Sequence, residues 1–163
     1  MKTQMIKGVM MAASLATLGT FAATTLSAHH SFAMYDQTKT VTLTGVAKQF
    51  VAQANHAEIH FYVVAPDRKG IAKDAAGQNV EWGVEMAGAA AVAQQGITAQ
   101  TFPAGTVFSV KLNPLRDGSN FGSRVGAIAK CPIDPATNRS KLPPPGKDCD
   151  SVEGRTLLGG NTF

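Results

Sequence analysis

From about Thr40 to Val51 the chain alternates, with Val41, Leu43, Gly45 and Ala47 on one side and Thr40, Thr42, Thr44 and Lys48 on the other. A β-branched period of two predicts a first strand. A second alternation follows at once: Ala57, Ile59, Phe61 and Val63 share one face, and His56, Glu58, His60 and Tyr62 share the other, which predicts a half-buried second strand. The polar, glycine-bearing run from Pro66 through Asn79 is a connection. Val80, Trp82, Val84 and Met86 then line up against Glu81 and Glu85 as a third strand. Between Ala87 and Gln95 the pattern changes. Three successive alanines and a single β-branched residue, Val92, end at Gly96, where the cap of a short helix belongs. Two more strands follow, over Thr106 to Leu112 and over Phe121 to Ala129. The turn chemistry of Asn113-Pro114-Leu115-Arg116-Asp117-Gly118-Ser119 lies between them.

The order is β-β-β-α-β-β, a mainly β chain with one short helix. With curvature allowed at Gly45, Gly83 and Gly122, it predicts an all-β, five-stranded barrel of the OB type, an open sandwich being the alternative. The expected organisation is a leader over 1–28, an N-terminal arm over 29–39, the barrel over 40–130, and a proline-bearing tail over 131–163.

The leader is read from its layout. Lys2 and Lys7 precede a mostly apolar stretch from Val9 to Ala23, too short to span a bilayer, and Leu26-Ser27-Ala28 has the small-residue pattern of a signal peptidase site. Cleavage between Ala28 and His29 would leave His29 first and release a product with no stable membrane insertion; an uncleaved anchor is the alternative. No cysteine lies near the cut to carry a lipid. Removing the leader takes two of the 15 Lys and Arg and none of the 11 Asp and Glu, so the net charge falls from +4 to +2. A nearly neutral chain without a basic stripe makes nucleic acid an unfavoured partner. The expected location is the periplasm or the medium.

Cys131 and Cys149 are the two cysteines. An even count in an exported chain predicts a disulfide, here closing a loop that holds Pro132, Pro135 and Pro143-Pro144-Pro145. Zinc is the rival reading, but two thiols with no histidine nearby make a poor site.

The start His29-His30-Ser31-Phe32, the segment Val41-Thr42-Leu43-Thr44-Gly45-Val46 and the Asn113 to Ser119 block together resemble an uncharacterised family of small exported bacterial proteins, domain of unknown function 6152. The likeness covers about His29 to Lys130. It implies a periplasmic β domain and no established activity. Members carry Asn-Pro-His in strand two and Gly-Trp after the helix; this chain has Asn55-His56 and Gly96-Ile97 instead.

All four histidines, His29, His30, His56 and His60, fall early in the mature chain. On a strand, positions four apart are separated by roughly 13 Å, at about 3.3 Å per residue, so His56 and His60 would not grip one ion together. The plain reading of that face is a solvated polar stripe. The new N-terminus is the better-founded metal site, because an α-amine beside the His29 imidazole can chelate copper(II), with His30, His56 or His60 adding a ring nitrogen. The alternative there is an exposed, disordered start. Enzyme readings are weaker. Ser31 with His29 and Asp36 lacks a nucleophile turn, Glu81 and Glu85 read as solvated charge, and no phosphate loop occurs. Arg116 is a turn device that could also contact a partner. The sequence therefore favours a non-catalytic binding or interaction domain for a small ligand or periplasmic protein, with copper binding or delivery as the alternative.

Overall fold

The computed structural model describes residues 32–160. Five strands close into a barrel: β1 (Val41–Ala52), β2 (His56–Val63), β3 (Glu81–Ala87), β4 (Val107–Pro114) and β5 (Phe121–Lys130). Antiparallel pairing runs β3-β2-β1-β4-β5, and a parallel pairing of β3 with β5 shuts the circle. This is the OB-like order that the alternation predicts. A six-residue helix, α1 (Ala89–Gln94), joins β3 to β4. It ends as Gly96 predicts: that glycine has φ +77°, its N–H donates to Ala93, and the Ile97 N–H reaches back to Val92. The pair of bonds is the Schellman closure of a helix end.

The core collects one side of each strand. Ala57, Ile59 and Phe61 of β2, Val84 and Met86 of β3, Phe108, Val110 and Leu112 of β4, and Ile128 of β5 are all buried, with Val92, Ile97 and Phe102 closing one end. Phe108 stacks edge-on against both Phe61 and Phe102, with ring centroids 5.2 and 5.4 Å away. Glycines admit two of the rings. A Cβ on Gly45 would lie 2.2 Å from the Phe61 ring, and one on Gly83 would lie 2.4 Å from the Phe121 ring.

Two irregularities interrupt the simple alternation. In β1 the register shifts between Ala47 and Gln49, so Lys48 is an extra residue and Phe50, not Gln49, resumes the inward side. In β5 the partners jump from Ile128 to Val125 across a single step of β4, which leaves Gly126 and Ala127 as a bulge. The side shared by Phe121, Ser123, Val125 and Ala129 faces outward, and the core contact of β5 comes from Ile128.

The tail has more structure than its prolines suggest. Short strands β6 (Ile133–Asp134) and β7 (Arg139–Ser140) pair with each other, and β8 (Thr156–Leu158) adds to β5. Cys131 and Cys149 form the expected disulfide, with Cα atoms 5.0 Å apart. Together with Val107, Ala129 and Val152 they make a second apolar cluster, against which Val46 packs on the outside of the barrel. No described helix is long and apolar enough to cross a membrane.

Candidate functional site

The outer face of β2 and β3 carries the groups that can do chemistry. Inward residues alternate with His56, Glu58, His60 and Tyr62 on β2 and with Glu81, Gly83 and Glu85 on β3. Antiparallel register sets Glu58 directly opposite Glu85, His60 opposite Gly83, and Tyr62 opposite Glu81. Two carboxylates that face each other across a ladder repel, so their surroundings matter. Lys48, the bulged residue of β1, engages Glu81 at 2.8 and 3.0 Å and lies 5.5 Å from the centre of the Tyr62 ring. Glu58 accepts a bond from His60 Nε2 at 2.9 Å. The His60 ring is itself steadied by Phe121, 6.4 Å away, in the space that Gly83 leaves open.

Glu85 has a different companion. The N-terminal arm turns over this end of the barrel, where Tyr35 bridges to Leu115 and is only 2% exposed. Its ring lines one cleft with the Glu85 carboxylate. Burial, then the charge of Glu85 and, less strongly, that of Glu58, push the phenol pKa up, so the group stays a neutral donor. The arm is pinned by backbone and side chain alike: Asp36 N–H donates to Pro114, Arg116 N–H to Met34, and Arg116 Nε to Ala33 at 3.0 Å. Asp36 caps the turn by accepting from the Thr38 hydroxyl at 2.6 Å and pairing with Lys39 at 3.0 Å. The Thr38 hydroxyl foremost, and then Lys39, hold the Asp36 pKa down to about 2.

Between arm and sheet lies a cleft of about 290 Å³, walled by Phe32, Tyr35, Asn55, His56, Glu85 and Arg124 among others. The Arg124 guanidinium donates to Gln95, the C-cap of α1, at 2.7 Å, and burial lowers its pKa. Within this face His56, Glu58 and Glu85 each offer a ligand atom, all within 4.8 Å of one another, and all three residues are half-buried. A larger cavity of about 610 Å³ lies between the tail and the β1–β2 wall. Its main cation, Arg68, already donates to the Lys147 carbonyl, so it offers less varied chemistry.

The sequence candidates separate accordingly. His56 joins the cluster, while His60 turns to Glu58. His29, His30 and the Ala28-His29 junction lie outside the described residues. Arg116 holds the arm. The sequence pattern does not single out Tyr35 or the Glu58–Glu85 pair. Glu58 stood in view inside His56-x-Glu58-x-His60, but its partner is fixed by the β2–β3 register, which periodicity alone does not reveal.

The family model described as "Family of unknown function (DUF6152)" matches residues 18–124, more than half of the chain. The chain belongs to the DUF6152 family. No curated protein and no solved structure matches it significantly. The DUF6152 match spans the arm, the whole β2–β3 face and β4, and ends at Arg124 in the cleft wall.

Proposed function

We propose that this DUF6152 protein is an exported, non-catalytic binding domain whose ligand seats in the cleft on the outer β2–β3 face. The observation that carries this reading is the convergence, in one cleft, of two aromatic rings, an amide, an imidazole, a carboxylate and a guanidinium. Few places on a small domain bring apolar walls and convergent polar groups together, and such places are the ordinary sites of ligand recognition. In OB-like barrels the faces of strands two and three are the usual binding surface. Export is favoured by the charged and apolar leader pattern and fits the disulfide, a bond of oxidising compartments. Binding is preferred over catalysis because several titratable groups of this face are tied into fixed pairs, His60 with Glu58 and Lys48 with Glu81.

The test is a panel of small charged organic molecules and sugars scored by amide chemical-shift changes. Changes gathered at Tyr35, Asn55, His56 and Arg124 support the reading; changes gathered at the tail side of the barrel instead would sink it.

A second reading, copper binding or delivery through a mature N-terminal His29, is favoured by the position of the arm. Phe32 lines the cleft beside His56, and His29 lies three residues before it, within roughly 10 Å of chain. An α-amine with two imidazoles suits copper(II). Titrating the processed protein with copper(II), beside a version bearing one extra residue before His29, decides it: equal binding by both rules out the amine.

A further inference from the structure

We infer that His56, Glu58 and Glu85 form a binding site for a first-row divalent metal ion, built into the barrel wall and independent of the N-terminal amine. The inference rests on the binding face proposed above and names its ligand class.

Three observations on different elements meet here. The donors already converge, with ligand atoms all within 4.8 Å of one another, although they come from two strands. Donors at about 2.1 Å from a shared tetrahedral ion stand about 3.4 Å apart, so side-chain torsions need to close little more than an ångström. Strand register makes that convergence permanent, because Glu58 and Glu85 are direct cross-strand partners.

The second observation is electrostatic. Two carboxylates in direct opposition are unfavourable in a sheet, and the lysine of this face is engaged with Glu81. A divalent cation between Glu58 and Glu85 turns that repulsion into attraction. The third is the neighbour beside each carboxylate. Tyr35, reaching over from the arm, lines the same cleft as Glu85, and His60 Nε2 bonds Glu58 at 2.9 Å. Carboxylates that ligate metals are characteristically oriented by such outer partners. One nitrogen and two oxygens suit zinc-like ions of intermediate softness better than calcium, which takes six to eight oxygens.

In this arrangement His56, Glu58 and Glu85 are ligands. Tyr35 and His60 are positioning residues.

The test uses the exported chain, freed of metal by a chelator and titrated calorimetrically with zinc chloride. We expect one zinc per chain and a rise in Tm. His56→Ala and Glu85→Gln should each weaken binding at least tenfold, with the near-ultraviolet circular dichroism of the fold retained. Glu81→Gln, on the same face but outside the cluster, should leave affinity unchanged. A chain with one residue added before His29 should take up zinc as the parent does. The inference is overturned by no zinc uptake, by uptake that neither ligand variant weakens, or by uptake that the added residue abolishes. The first two outcomes leave the wider binding-face reading to its own ligand panel, which uses no metal; the third would assign the ion to the N-terminus.

Discussion

The two halves of the barrel wall are built from the same alternation and finished differently. Outside β1, β4 and β5, the residues Thr44, Val46, Val107, Ser109 and Ala129 are covered by the tail, and the disulfide fastens that cover. Buried hydroxyls there are satisfied: Thr44 and Ser109 share a hydrogen bond of 2.8 Å, and Ser109 Oγ accepts the Cys149 N–H at 2.8 Å. Outside β2 and β3, a row of carboxylates and imidazoles stays half-exposed beside the N-terminal arm, on which Phe32 is exposed. One half is closed around apolar and satisfied polar groups, which adds stability. The other keeps its charges close together and partly uncovered, which adds little stability.

If that division is right, damage to the closed half lowers stability and spares metal binding. The largest effect is expected from Cys131→Ser with Cys149→Ser. The bridge closes a loop with a sequence separation of 18, worth about 3 kcal/mol in the chain-entropy account. Urea unfolding should show a loss of that size, with zinc affinity at the opposite face unchanged. Next comes Ser109→Ala. It strands the Thr44 hydroxyl and the Cys149 N–H in a buried place, at about 1–3 kcal/mol. Since Ser109 touches Cys149, the three substitutions combined should cost less than the two effects added. Strict additivity in urea midpoints would show that tail and barrel are not packed as one unit.

Much of the closed architecture is readable from residues in order. Val41 to Ala47, Ala57 to Val63 and Phe108 to Leu112 announce their inward faces because burial on one side of a strand leaves a period of two. Gly96 announces the helix end for a similar local reason. The bulges at Lys48 and at Gly126–Ala127 do not announce themselves, because an extra residue is defined by the partner strand rather than by its own neighbours. The outer cover is hidden for the same reason. Val46 and Val107 look like solvent-side positions until a tail of prolines and one disulfide, distant in sequence, folds over them. The site follows this rule. His56 and His60 were conspicuous as residue types, yet the pairing that gathers ligand atoms, Glu58 against Glu85 with Tyr35 behind, joins three segments of the chain. Periodicity speaks of faces and is silent on registry between strands.

The open half supplies the smaller effects, and their signs sharpen the contrast. In metal-free protein, Glu85→Gln removes one of two opposed charges. Stability should hold or rise by about 0.2–1 kcal/mol, the scale of a cross-strand pair. A clear loss of stability would mean that this face, too, is devoted to holding the fold. The last expectation concerns Asp36, which anchors the arm over the cleft. Its pKa is lowered to about 2 by the Thr38 hydroxyl and then by Lys39, against an ordinary value of about 3.9 for an unfolded aspartate. A group whose folded pKa is depressed stabilises the fold above its unfolded value, and that contribution is lost as pH falls through the folded one. The native chain should therefore lose stability between about pH 4 and pH 2 in part through Asp36. Asp36→Asn cannot titrate there, so its urea midpoint should fall less steeply over the same interval, starting from a slightly lower value at neutral pH. Parallel acid limbs for the two proteins would show that the carboxylate contributes nothing to the turn at Thr38 and Lys39, and that the arm is held by its bonds to Pro114 and Arg116.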